Sequence, residues 1–415
     1  MNSVLQRIKP EYILALIKWI IVASLTGLIG GIAGSLFHMS IDFVTELRKD
    51  NTWILLLLPL GGIVITFMYS WCKSRYGSLD TNRILDSVHG EEKVPFILLP
   101  LIFIASVITH LVGGSAGREG AALQLGGSIG YRIGKTIRLD KDDMHIIVMS
   151  GMSAVFAALF GTPLAAAVFA LEVSSVGLMY YAALLPCVIA SAVAYGVSLF
   201  VGVEPVRFAP VVIEGFSPST IGGIIVLSVL CALVSILFCV CIKRVEHHAH
   251  KLNAYVRAAV GGILLLVMTV LLRTTDYNGA GMDVVASALR GNAHYAAFAL
   301  KIIFTSVTIA AGFKGGEIVP AFFVGSTFGC VVAPLLGLDA SLGAAVGFVA
   351  LFCGVVNCPI ASLMLAMEVF GSDSVLMFAV VCAISYTMSG NFGLYKSQKL
   401  LYSKINLHYI DVNAL

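Results

Sequence analysis

The chain has 415 residues, 59% of them apolar and 12% charged, with a net charge of +3 and a mean hydropathy of +0.96. Soluble domains carry about 25% charged and about 45–50% apolar residues. The composition therefore excludes a soluble enzyme, a disordered regulator and a nucleic-acid binder, and leaves a polytopic protein whose solvent is the lipid bilayer. No basic tract or acidic tail points to a polyanionic partner. The nine cysteines are scattered, mostly in apolar stretches, with no CxxC pair and no His cluster at zinc spacing. They read as reduced, buried thiols, and no disulfide framework, metal site or cofactor is expected.

The first apolar run, at about 11–38, is too long for a signal-peptide core and reads as a retained first helix. Further apolar stretches lie at about 52–71, 95–112, 143–175, 177–203, 217–242, 257–272, 296–313, 318–337, 341–371 and 374–388. Some can hold one span of about 20 residues, whereas others are too long or too broken for that count. Gly113-Gly114-Ser115-Ala116-Gly117 and Gly312-Phe313-Lys314-Gly315-Gly316 fall at membrane depth. Non-helical backbone is tolerated there only where it is buried in protein or lines a cavity, so these segments read as broken helices. The short tail at 389–415 leaves no room for a soluble regulatory domain.

An internal repeat organises these stretches. Gly117-Arg118-Glu119-Gly120-Ala121 leads into Gly126-Gly127-Ser128-Ile129-Gly130, as Gly315-Gly316-Glu317-Ile318-Val319-Pro320 leads into Gly325-Ser326-Thr327-Phe328-Gly329. Phe160-Gly161-Thr162-Pro163-Leu164 with Glu172-Val173 is echoed by Val356-Asn357-Cys358-Pro359-Ile360 with Glu368-Val369. The copies are about half the chain apart, with repeat one at about 11–203 and repeat two at about 217–388. A glycine-interrupted segment at the matching place in each half points to a transporter with its site at the repeat interface. The expected fold is an all-α membrane domain of two inverted repeats whose broken helices meet at the midplane. Lys and Arg are spread too evenly for charge bias to set the orientation; both termini are placed in the cytoplasm.

Glu119 is the first candidate for chemistry. It lies in a glycine-rich break beside Arg118, and an ionisable residue at bilayer depth is a functional hypothesis by default. Glycines let backbone amides crowd at a helix start, where anions are attracted. A carboxylate there can fill an anion site when ionised and vacate it when protonated, which is a proton-coupled gate. The structural alternative is a Glu119–Arg118 pair that pins the loop. Glu317 is read as the counterpart of Glu119 in the second half and a second station on a proton route; its alternative is a loop-edge residue beside Lys314. Glu172 and Glu368, in matching Ala-Leu-Glu-Val and Ala-Met-Glu-Val segments, read as structural, bonding backbone at a helix end. Gly113–Gly117 and Gly126–Gly130 both match G-x-S-x-G, with Ser115 and Ser128 at its centre, but a nucleophile elbow needs a strand–turn–helix setting and partners that these small-residue membrane segments lack.

Gly114-Ser115-Ala116-Gly117-Arg118-Glu119-Gly120, the following Gln124-Leu125-Gly126-Gly127 and the Pro163–Glu172 block resemble the CLC chloride channel and transporter family, over about residue 12 to Tyr395. The resemblance implies a homodimer with one anion pathway per subunit in a bacterial plasma membrane, moving a halide and protons without enzymatic chemistry. It makes Glu119 the gating glutamate and assigns anion contacts to Arg118, Gly120, Gly316, Ile318, Val319 and Tyr395. Gly77-Ser78-Leu79-Asp80-Thr81-Asn82 stands where chloride-transporting relatives carry Gly-Ser-Gly-Ile-Pro, leaving Ser78 or one of Asp80 to Asn82, with Asn82 preferred, to face the ion. The inner proton glutamate of chloride/proton exchangers is Val173 here, while Gly-Gly-Glu-x-x-Pro at Gly315–Pro320 resembles the fluoride/proton antiporter branch. Val319 and Ala121 replace threonines usual in that branch and remove donors that fluoride would want. Three functions stay in play: a fluoride/proton antiporter of this family (or its chloride/proton equivalent), a passive gated chloride channel, and an intramembrane hydrolase or non-transporting membrane protein.

Overall fold

The computed structural model describes residues 10–77, 79–90, 93–209, 217–406 and 408–415. Among the described residues, each half of the chain builds eight α-helices in the same order. The first half has α1 (Pro10–Asp50), α2 (Leu58–Tyr76), α3 (Thr81–Val88), α4 (Leu98–Val112), α5 (Glu119–Thr136), α6 (Lys141–Phe160), α7 (Pro163–Glu172) and α8 (Leu184–Val201). The second has α9 (Pro218–Ala249), α10 (Ala254–Leu272), α11 (Met282–Leu289), α12 (Ala297–Ala311), α13 (Ile318–Val332), α14 (Ala340–Val356), α15 (Pro359–Phe370) and α16 (Val375–Met388).

The helix ends repeat because the sequence signals repeat. α4 stops at Gly113 (φ 89°) and α12 at Gly312 (φ 96°), both left-handed, a conformation that glycine adopts without a Cβ clash. α6 ends at Gly161 and α14 at Asn357, again left-handed, and Pro163 and Pro359 then open α7 and α15 at the first helical position, where a missing N–H costs nothing. These punctuations divide the apolar stretches expected at 143–175 and 341–371 into two helices each. The first helix runs on past the expected 38 to Asp50, 41 residues in all. At 1.5 Å per residue it is about 60 Å long, roughly twice the hydrocarbon thickness.

Among the described residues, seven helical segments are long and apolar enough to cross a membrane. α1, α2, α9 and α10 expose large apolar side chains such as Leu14, Phe67, Leu237 and Leu271, as lipid-facing helices must. α5 is different. It falls in none of the expected apolar stretches, because Gln124, Arg132, Lys135 and five glycines dilute it, yet 14 of its residues are buried. Its neighbours are protein rather than lipid. Against α6, a Cβ on Gly126 would stand 2.2 Å from the Gly151 carbonyl; against α14, a Cβ on Gly325 of α13 would stand 2.2 Å from the Gly347 carbonyl. Glycine alone allows both backbone approaches.

α7 and α15 lie antiparallel, which their end contacts require. Glu172 at the end of α7 accepts from the amides of Ile360 (3.2 Å) and Ala361 (2.7 Å) at the start of α15. Glu368 near the end of α15 accepts from Leu164 (3.0 Å) and Ala165 (2.8 Å) at the start of α7. The expected structural role of these two glutamates is thus a reciprocal pair of helix caps, each stabilising two orphan donors with a carboxylate at the positive end of a helix. Aromatic rings close the rest of the interface between the halves, with Phe160 edge-on to Phe322 at 6.4 Å and Phe169 tilted against Phe352 at 5.9 Å.

The tail is folded, which its reading as a simple terminus did not include. β1 (Ser175–Val176), which follows α7, pairs parallel with β2 (Lys399–Tyr402), and β2 pairs antiparallel with β3 (Tyr409–Asn413). All nine cysteines are free thiols, and only Cys241 is not buried.

Candidate functional site

The two breaks cross. Gly117 and Gly316 exchange backbone hydrogen bonds in both directions, each 2.7 Å, as an isolated antiparallel bridge. Residue types without side chains are needed there: a Cβ on Gly316 would meet the Gly120 amide nitrogen at 2.5 Å. α5 and α13 start on either side of this crossing, so the amide-rich ends of both helices converge on one point.

Glu119 is the first residue of α5 and is fully buried. Its Oε2 accepts from the Val319 amide in the first turn of α13 at 3.3 Å, and its own amide and that of Arg118 also face the carboxylate. Oε1 has no partner among the described residues. The carboxylate thus occupies the position an anion would take at the N-terminus of the other repeat's helix. The alternative Glu119–Arg118 pair is not what forms: the Arg118 guanidinium donates to Asp42 of α1 at 3.1 Å, and His38 holds Asp42 from its other side at 2.9 Å.

Two vestibules flank the crossing. The first, about 410 Å³, has Glu119, Arg118 and Val319 among its walls, with Asp42, Arg48 and His110. The second, about 170 Å³, is lined by Glu317, Lys314, Asn82, Gln124, Glu246 and Tyr395. The two glutamates proposed for proton transfer therefore open towards opposite vestibules. Lys314, expected to neighbour Glu317 as a loop-edge partner, lies with its ammonium 4.4 Å over the Tyr69 ring.

One register in the expected repeat needs correcting. The bridge pairs Gly117 with Gly316, so Arg118 and Glu317 are the two residues that cap α5 and α13, and Glu119 and Ile318 the first residues of those helices. Glu317 corresponds to Arg118, not to Glu119. A one-residue offset at a helix start turns a side chain by about 100°, and the two related residues, Arg118 and Glu317, line different vestibules, Arg118 the first and Glu317 the second.

The remaining expected residues divide. Tyr395 is buried, and its hydroxyl, which has no partner among the described residues, belongs to the second vestibule. Gly120, Gly316 and Ile318 are at the crossing and buried. Asn82 lines the second vestibule, but its Oδ1 accepts from the Ser397 amide at 3.1 Å and so holds the loop that carries Tyr395. Ser78 lies outside the described residues. Asp80 caps α3 through the Arg83 amide at 3.2 Å. Gln124, in the sequence only part of the Gln124–Gly127 motif, donates its amide to Thr81 Oγ1 at 2.9 Å, and its buried Oε1 has no partner among the described residues. A polar side chain in a glycine-rich helix is the signal that would have singled it out. The serines of the G-x-S-x-G matches are not set up as nucleophiles. Ser115 shares its hydroxyl with Thr305 at 3.1 Å, and Ser128 is inside α5.

Comparison with known proteins agrees with this geometry. The sequence pattern of the family described as Voltage gated chloride channel matches residues 61–390. A chloride/fluoride channel protein of Pseudomonas syringae pv. tomato is 34% identical over 93% of this chain and 87% of its own. An H(+)/Cl(−) exchange transporter of Vibrio cholerae is 25% identical over 87% of this chain and 83% of its own. Among solved structures, a CLC-type fluoride/proton antiporter superposes with a TM-score of 0.88 at 30% identity, over 92% of this chain and 98% of that one. A slow cyanobacterial Cl−/H+ antiporter shares the fold, with a TM-score of 0.74 at 20% identity. With its inverted repeats, crossed breaks and matched length, the chain belongs to the voltage gated chloride channel (CLC) family of membrane proteins.

Proposed function

We propose that the protein is a proton-coupled halide antiporter that exports fluoride in exchange for protons. The observation that carries this reading is the Glu119 carboxylate, fully buried and hydrogen-bonded to the Val319 amide at the start of α13. Ionised, it fills the anion position and closes the path between the vestibules. Protonated, it has no charge to hold it against the helix terminus, and an anion takes its place at the amides of Ile318 and Val319, beside Gly316, whose own amide stays in the bridge to Gly117, with the Tyr395 hydroxyl donating from the second-vestibule side. Arg118 and Gly120 shape the first-vestibule side, and Asn82 the other.

Glu317 gives the proton somewhere to go. It stands in the vestibule opposite to the one that Glu119 lines, so a proton accepted from one face at Glu119 is passed to Glu317 and released to the other while the anion moves the opposite way. A passive channel has no use for a second carboxylate there. Fluoride is favoured by the Gly-Gly-Glu-x-x-Pro segment at Gly315–Pro320 and by the likeness to a fluoride/proton antiporter. The second reading, chloride in place of fluoride, is favoured by Val319 and Ala121, which bring no hydroxyl donor to the crossing. The homodimer and the bacterial cell membrane belong to the same proposal.

Paired fluoride and chloride efflux from proteoliposomes, with external pH recorded, tests the function. Fluoride efflux with opposing proton movement is expected. Chloride efflux with opposing protons selects the second reading, and anion flux without proton movement rejects antiport.

A further inference from the structure

The backbone of the loop that carries Tyr395 is anchored by hydrogen bonds. The Leu394 amide donates to the Val355 carbonyl at 2.9 Å, and the Gln398 amide to the Tyr395 carbonyl at 3.1 Å. Behind it stands a chain of buried polar side chains. Gln398, with no exposed surface, donates to the carbonyls of Val173 (3.1 Å) and Val356 (2.7 Å), one from each repeat, and accepts from Asn357 Nδ2 at 3.0 Å. Asn357 Nδ2 also reaches the Phe392 carbonyl at 3.0 Å.

Lys404, in the segment between β2 and β3, holds the other end of Asn357. Its ammonium donates to Asn357 Oδ1 (2.5 Å), the Tyr386 carbonyl (2.9 Å) and Ser389 Oγ (2.9 Å) and lies 4.4 Å over the Tyr386 ring. All three of its donors are used. Among the described residues no carboxylate forms an ion pair with it. A buried cation without a counter-ion is costly to keep, and this one ties the folded tail to the loop at the transport site.

We propose that Lys404, acting through Asn357 and Gln398, is a positioning residue that fixes the loop presenting the Tyr395 hydroxyl to the transport site. The role of Tyr395 rests on the antiporter reading; the clamp does not. The titratable groups facing Lys404 are the Tyr386 phenol and the thiols of Cys239, Cys353 and Cys358, and burial pushes its ammonium from 10.5 down to about 8. A released lysine titrates at the higher value. Between the two the clamped form binds fewer protons than the released form, so raising the pH through that window tightens the clamp, and below about 8 the effect is flat.

The test uses the full chain. Amide hydrogen exchange over 389–398, corrected for the intrinsic rate, reads the clamp in detergent, and fluoride and chloride uptake into proteoliposomes reads its consequence. In wild type, protection of 391–398 rises from pH 8 to 10. Lys404→Arg keeps the protection but loses the rise, and Lys404→Met loses about tenfold of it, the worth of one or two hydrogen bonds. Lys404→Met also raises the KM for the transported anion several-fold with little change in maximal rate, and the arginine variant restores it. Wild-type protection that is flat from pH 8 to 10 overturns the proposal even if the methionine variant does not fold, as does a methionine variant with wild-type protection and KM. Wild type that transports neither halide defeats the antiporter reading alone, because the exchange measurement still decides the clamp.

Discussion

Two pairs of glutamates occupy the two halves of the molecule, and they follow opposite logics. Glu172 and Glu368 are true repeat mates: each caps the first turn of the other's helix with two amide hydrogen bonds. Glu119 and Glu317 sit on equally related breaks but one register apart, so that one bonds across the crossing to Val319 and the other opens to the opposite vestibule. A residue that obeys the pseudo-symmetry does the same work twice, and that work is holding the halves together. The pair that departs from it makes the two faces of the protein different, and a protein that couples two opposed fluxes needs its faces to differ.

That contrast can be broken by exchanging a charge for its neutral isostere. Glu317→Gln is expected to lower proton movement by at least about 100-fold, the usual worth of a positioned proton-transfer group, while anion flux persists; external pH recording during fluoride efflux checks it. Glu172→Ala and Glu368→Ala are each expected to cost about 1–3 kcal/mol, from two amides left without their charged acceptor. Matched drops in thermal stability in detergent sustain the reciprocal-cap account, and a loss confined to one of the two breaks it.

Much of the fold was legible because its punctuation is chemical. Gly113 and Gly312 end helices, Pro163 and Pro359 start them, and their recurrence across the halves shows the repeat without any structure. α5 was only partly legible: a helix start at Glu119 and a small-residue membrane segment at Gly126–Gly130 were visible, but no apolar stretch covered it, because a helix wrapped in protein needs no lipid-facing apolar surface. The tail was not legible; its β2 pairs with β3 and, far away in sequence, with Ser175–Val176. At the site, the cost of a carboxylate at bilayer depth made Glu119 visible at once. The register between Glu317 and Arg118 was hidden, since only the Gly117–Gly316 bridge sets which residues are mates. The partner of Arg118 was hidden too: Asp42 lies 76 residues away on α1.

Smaller substitutions sharpen the difference between the faces. Tyr395→Phe removes a hydroxyl that has no partner among the described residues from the second vestibule and is expected to weaken anion binding several-fold, up to about tenfold, with proton coupling kept; halide titration in detergent measures it. Asp42→Asn releases Arg118 in the first vestibule. The pair is partly exposed, so less than about 1 kcal/mol is at stake, and a small change in uptake from that face alone, seen with the protein inserted in one orientation, is the expected result.

The central claim is that the Glu119 carboxylate is both the anion's competitor and the proton's carrier. Proton movement driven by an outward fluoride gradient in Glu119→Gln proteoliposomes tests it most directly. The account predicts that fluoride still crosses and that no proton moves against it; proton movement at the wild-type rate in that variant would contradict it.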